Sequence, residues 1–144
     1  MGILTNIVAA EEDEIAAIGE SLRPVDEWSG IERRGIDTGK IATLHCLLTG
    51  DEFEEAVSAY EPVYFAEEGA VVLRIADEVM QRLATLEEDA LELVAAELAA
   101  TEEYEMEQWD AEEVQALVLD LADLARLADS QGQALFVWMH PLLT

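Results

Sequence analysis

Residues 133–139 read QALFVWM, and no other stretch narrows the possible folds as much. An almost wholly apolar run of this length, set between Gly132 and His140-Pro141, is the pattern of a strand covered on both faces. A central strand at the end of the chain needs neighbours from earlier in it. Residues 2–9, GILTNIVA, supply one: Ile3, Thr5 and Ile7 alternate with Leu4, Asn6 and Val8, so this strand also has both faces buried. Residues 62–66, PVYFA, are aromatic and β-branched and make a third strand candidate.

Helical patterns fill the intervals. Residues 11–22 open with Glu11, Glu12, Asp13 and Glu14, which complement the positive end of a helix dipole. Ile15, Ile18 and Leu22 supply its apolar face, and Pro24 stops it. Residues 40–49 carry Ile41, Leu44, Leu47 and Leu48 on one stripe, with Gly50 as the residue past the end. Asp51 and Glu54 have the spacing of a capping box for a short helix over residues 52–59. From Glu67 a long periodic stretch runs through Val72, Ile75, Val79, Leu83 and Leu86. Thr85 and Glu88 break it near residue 85, and Leu91, Val94, Ala95 and Leu98 carry the pattern on to residue 100.

Residues 101–108, TEEYEMEQ, lose the periodicity and read as a loop. The sharpest local signal follows. Asp110 is a helix cap, Glu113 its partner three residues on, and Trp109 and Val114 bracket them as a hydrophobic staple. That helix runs to about Ser130, with Val114, Leu117, Val118, Leu121, Leu124 and Ala125 inward. The 144 residues are thus expected to form one α+β domain spanning residues 1–144. It is a single layered domain, a small mixed or antiparallel sheet of three to four strands packed with about five helices. Helices between successive strands allow some parallel crossovers.

Charge restricts the partners. Seven basic residues face 33 acidic ones, a formal net charge of −26. A basic patch for nucleic acid or an anionic membrane is excluded by that balance, and a basic protein partner is favoured by it. A 51% hydrophobic content is enough for a packed core despite the charge. The single cysteine cannot form an internal disulfide, and neither a signal-peptide pattern nor an apolar run of 18 residues occurs, so the expected setting is cytoplasmic.

Residues 36–50, IDTGKIATLHCLLTG, hold His45, the only cysteine and the only lysine. The segment Leu44-His45-Cys46-Leu47-Leu48-Thr49-Gly50 resembles the LHxLLTG segment of the YfbM-like family, a bacterial domain family of unknown function. Met1-Gly2 at the entry to the first strand, Pro62-Val63-Tyr64-Phe65-Ala66-Glu67-Glu68, and the closing helix with Leu135-Phe136-Val137-Trp138 are similar to it in the same order. Ile41 stands where that family commonly has an aromatic residue. The resemblance implies an α+β fold and brings no catalytic residue with it.

Arg23, Arg33, Arg34 and Lys40 cluster within residues 23–40, a punctuated stretch read as irregular, and make it locally neutral on an acidic chain. His45, Arg33, Arg34 and Lys40 are therefore the candidate residues of a ligand pocket, His45 for acid–base work and the cations for an anion. The plainer reading is a half-buried histidine bonded to backbone or a carboxylate, and arginines paired with nearby acids. His45 and Cys46 point about 100° apart on a helix, so they do not form a nucleophile pair from one turn. HExxH, CxxC and calcium-loop spacings are absent, and no metal or cofactor is expected. The balance of residues is against an enzyme. It favours a non-enzymatic, immunity-like or regulatory acidic domain that binds another protein. The alternative is a small ligand-binding or hydrolytic module around His45 and Arg33/Arg34.

Overall fold

The computed structural model describes residues 3–21, 23–67, 69–106 and 109–140. Its frame is a five-stranded sheet of β1 (Leu4–Ala10), β2 (Gly30–Arg34), β3 (Tyr64–Phe65), β4 (Val71–Arg74) and β5 (Ala134–His140), in the order β2-β1-β5-β4-β3. The apolar run at the end of the chain does take the central place, and every residue of β5 is buried. It pairs with β1 from Leu4↔His140 to Ala10↔Ala134, which joins the two ends of the chain in one ladder.

The α-helices are α1 (Ile15–Glu20), α2 (Thr38–Thr49), α3 (Phe53–Ala59), α4 (Asp77–Thr85), α5 (Glu88–Ala99), α6 (Glu102–Glu105) and α7 (Ala111–Gln131). Strand alternation divides them between two faces. Ile7, Ala9, Leu73, Leu135, Val137 and Met139 point to the larger core, shared with Leu44, Leu83, Leu98, Leu117 and Leu121 of the long helices. Val8, Ala10, Val72, Phe136 and Trp138 point the other way, against Ile18 of α1 and half-buried Trp28. Both faces are covered, which is why β1 and β5 lack the polar alternation of a half-solvated strand.

Several expectations need correction. The sheet has five strands rather than three to four, because β2 and β4 are hidden in the sequence. β2 lies in the stretch read as irregular. As an edge strand it carries Glu32, Arg33 and Arg34, the charges that keep such an edge from pairing indiscriminately. β4 was concealed by period: Val72 and Ile75 are three apart and imitate a helical stripe, whereas the helix begins only at Asp77. A hairpin turn closed by Ala66 and Ala70 with Gly69 at φ 108° sends β4 back along β3. All the described strand pairings are antiparallel, so the parallel crossovers do not occur. α2 and α3 carry the chain from the β2 edge to the β3 edge, whereas α1 leads from β1 to the adjacent antiparallel β2 and α4 to α7 lead from β4 to the adjacent antiparallel β5. Residues 101–108, expected as a loop, contain the short α6, which buries Tyr104. Met1, Gly2, Leu22, Glu68, Glu107, Gln108 and residues 141–144, which include Pro141, lie outside the described residues.

Candidate functional site

α2 carries two of the four candidate residues and starts where local chemistry sets it. The Asp37 side chain accepts from the Lys40 backbone N–H at 3.0 Å, and Gly50 ends the helix at φ 83°. His45 lies two turns in and is buried, 4% exposed. Its Nε2 is 2.7 Å from Asp51 Oδ2 and its Nδ1 is 2.9 Å from the Tyr60 hydroxyl. A carboxylate only accepts, so Nε2 bears the hydrogen; in the neutral ring Nδ1 then accepts from the Tyr60 O–H. The backbone N–H of Ala76 donates to the same hydroxyl at 3.4 Å. The result is one directed chain, from Ala76 through Tyr60 and His45 to Asp51 at the surface. It ties α2, the loop after it, the end of α3 and the entry to α4.

The environment acts on both ends of this chain. The hydrogen bond from His45 holds the Asp51 carboxyl below its ordinary range, with help from the Thr49 hydroxyl. Burial pushes the Tyr60 phenol up to about 12, and the nearby Cys46 and Asp51 add to that. Asp51 therefore does not cap α3 as the sequence suggested: Glu52 is the residue at that position, and the Asp51 carboxylate is committed to His45. His45 is the carboxylate-bonded histidine of the plainer reading.

The other candidates engage different partners. Lys40 is buried, with Nζ 3.8 Å from Asp37 Oδ2 and 5.9 Å from the centre of the Tyr104 ring. Five residues along a helix turn it about 140° from His45. Arg33 pairs with Asp120 of α7 and donates from Nη1 to the Glu32 carbonyl at 2.9 Å. Arg34 lowers the Glu32 carboxyl through charge, where Arg23 is the main cause through its hydrogen bond. The described contacts thus give His45, Lys40 and Arg33 three separate sets of partners.

A different concavity stands out. A cleft of about 540 Å³ lies where β1 ends, α4 begins and α7 stops. Its wall includes Glu11, Glu12, Asp77 and Asp129 against a single guanidinium, Arg74. Glu12 reaches Arg74 at 2.6 Å and Asp77 reaches it at 2.9 Å. The C-terminal end of α7 faces this cleft at Gly132 and has no basic residue in its last turn, so the dipole adds negative potential there. A smaller cleft beside Glu78, Arg82 and Thr85 shares Gln81 with it, which carries the depression along α4. None of this was legible in the sequence beyond the acids opening the first helix. Arg74 and Asp129 have no local signal, and only the meeting of β1, α4 and α7 groups them. Carboxylates of Glu11, Asp13 and Glu14 also come within 4.8 Å of one another, as acids at a helix start do.

No helix among the described residues is long and apolar enough to cross a membrane. No family model and no curated protein matches the chain. Among solved structures it is similar to a protein of unknown function, YfbM from Escherichia coli. The TM-score is 0.47 at 13% identity, over 94% of this chain and 99% of that one. That protein's name is that of the family whose LHxLLTG segment Leu44-His45-Cys46-Leu47-Leu48-Thr49-Gly50 resembles.

Proposed function

We propose that the chain is a non-enzymatic, cytoplasmic binding module whose acidic surface takes a basic protein partner, in the manner of a regulatory or immunity-like domain. The observation that carries this reading is the cleft between α4 and the end of α7, with four carboxylates against one arginine. The net charge of −26 gives such a site long-range attraction for a cationic partner. Concavity turns that attraction into a place, because a lysine or arginine entering the cleft meets several carboxylates at once.

The test uses a labelled octa-arginine peptide and fluorescence anisotropy at low and at raised salt. Binding should weaken steeply with salt. The Glu12→Gln/Asp77→Asn/Asp129→Asn variant should bind about tenfold more weakly than a variant with the same charge change at Glu54, Glu55 and Glu92. Equal losses in the two variants would show general charge and no site, and the reading would fail.

A further inference from the structure

Beyond the acidic cleft, the geometry points to the open edge of β2 as a strand-accepting surface for an extended, basic segment of a partner protein. The ladder parity locates the backbone groups. Gly35 N–H donates to Ile3 C=O at 2.8 Å, and Ala9 N–H donates to Ser29 C=O at 2.9 Å. In an antiparallel pair the bonded positions alternate, so residues 29, 31, 33 and 35 face β1. Gly30 and Glu32 therefore direct their N–H and C=O groups away from β1, at the end of the sheet order. Gly30 is exposed, so the edge is open there.

A second cleft, of about 280 Å³, lies along this edge on the helix side. Ile31, Leu124 and Leu127 line it, with Asp120 and Asp123 among them. It shares no lining residue with the acidic cleft. A strand laid along β2 sends alternate side chains to this face. A lysine or arginine there packs its aliphatic stem on the two leucines and shares Asp120 with Arg33 and Asp123 with Arg126, each of which already pairs with one of these carboxylates. Residues of the added strand that bond to Gly30 and Glu32 have their side chains on the opposite face, where the Glu32 carboxylate lies beside Asn6.

Charge selects the occupant. A second copy of this chain would bring another −26 against the edge and set Glu32 beside its own counterpart, whereas a basic strand is attracted. Arg33 guards the edge meanwhile, since its Nη1 occupies the Glu32 carbonyl that an incoming N–H would take. β3, the other edge, is two residues long and offers too short a ladder.

The experiment titrates the 15N-labelled full chain with an eight-residue peptide of alternating Lys and Thr and follows amide exchange. Gly30 and Glu32 amides should exchange at least about tenfold more slowly in the complex. The threonine N–H groups are the ones that face β2 when the lysines enter the cleft. N-methylation of the threonines should therefore abolish binding, and N-methylation of the lysines should spare it. Glu32→Gln should keep binding, and Glu32→Pro, which removes the outward N–H and no ladder bond to β1 but also the carboxylate held by Arg23 and Asn6, should lose it. The proposal is overturned if both methylated peptides bind alike or if the peptide leaves the two amides unprotected. It also fails if the shifts map to Glu12, Asp77 and Asp129 alone, a result that leaves the acidic-cleft reading standing. Protection of Gly30 and Glu32 that grows with protein concentration and needs no peptide would name a second copy as the occupant and overturn it too.

Discussion

Replacing Tyr60 with Phe removes one oxygen from the interior and tests the Ala76–Tyr60–His45–Asp51 chain. The ring is 2% exposed, so water does not replace the lost hydroxyl. His45 Nδ1 loses a 2.9 Å partner, and the Ala76 N–H loses a longer one at 3.4 Å. A buried polar group left unsatisfied costs about 1–3 kcal/mol, and the long bond adds little, so about 2 kcal/mol is expected at pH 7. For a domain of this size that lowers Tm by roughly 5–8 °C. The alkaline side gives a second, opposite sign. Burial raises the Tyr60 phenol from 10.0 to about 12, so its contribution is intact below pH 10 and is lost as pH rises towards 12. The loss runs at up to about 1.4 kcal/mol per pH unit in the wild-type chain and is absent from the Phe variant. Urea unfolding followed by circular dichroism at pH 7, 9, 10 and 11 should show the gap between the two proteins closing with pH. Tyr64, raised by its hydrogen bond to Glu20, is common to both and cancels. Equal stability at pH 7, or a gap constant through pH 11, would refute the reasoning.

Two further outcomes follow from the same geometry. Asp51 is held below its ordinary value by His45, so the stability it contributes is present above about pH 4 and disappears as pH falls through the lowered value. In acid titrations of stability, the difference between wild type and Asp51→Asn should be constant above pH 5 and shrink below it. Gly30→Ala places a Cβ 2.3 Å from the Ile7 carbonyl oxygen, a backbone atom that cannot yield without moving β1. We expect a cost of about 1–3 kcal/mol in denaturant unfolding and faster amide exchange along β2.

Local chemistry made much of this fold readable. The Asp110 side chain accepts from the Glu113 N–H at 2.8 Å, and Gly132 closes α7 at φ 67°. Caps of this kind are formed within four residues and so can be read locally, although at Asp51 the His45 ring takes the carboxylate and the expected cap does not form. The central β5 was equally legible, since only a strand covered on both faces tolerates ALFVWM. β2 was not, because an edge strand has one solvated side and its charges resemble those of a loop. β4 was lost to a four-residue length that cannot separate a period of 2 from one of 3.6.

The candidate site divides along the same line. Sequence alone determined that the chain is acidic, that it has a core and strands at both ends, and that His45 and Cys46 lie on different sides of one helix. It could name His45, Arg33, Arg34 and Lys40 as chemically able. Which groups meet was decided only in three dimensions. Asp51 and Tyr60 close on His45, Asp120 on Arg33, and Glu12 and Asp77 on Arg74. The reason is physical. Caps and periodicity act between neighbours a few residues apart, whereas the Arg33–Asp120 pair spans 87 residues and forms only because α7 packs across the sheet beside β2.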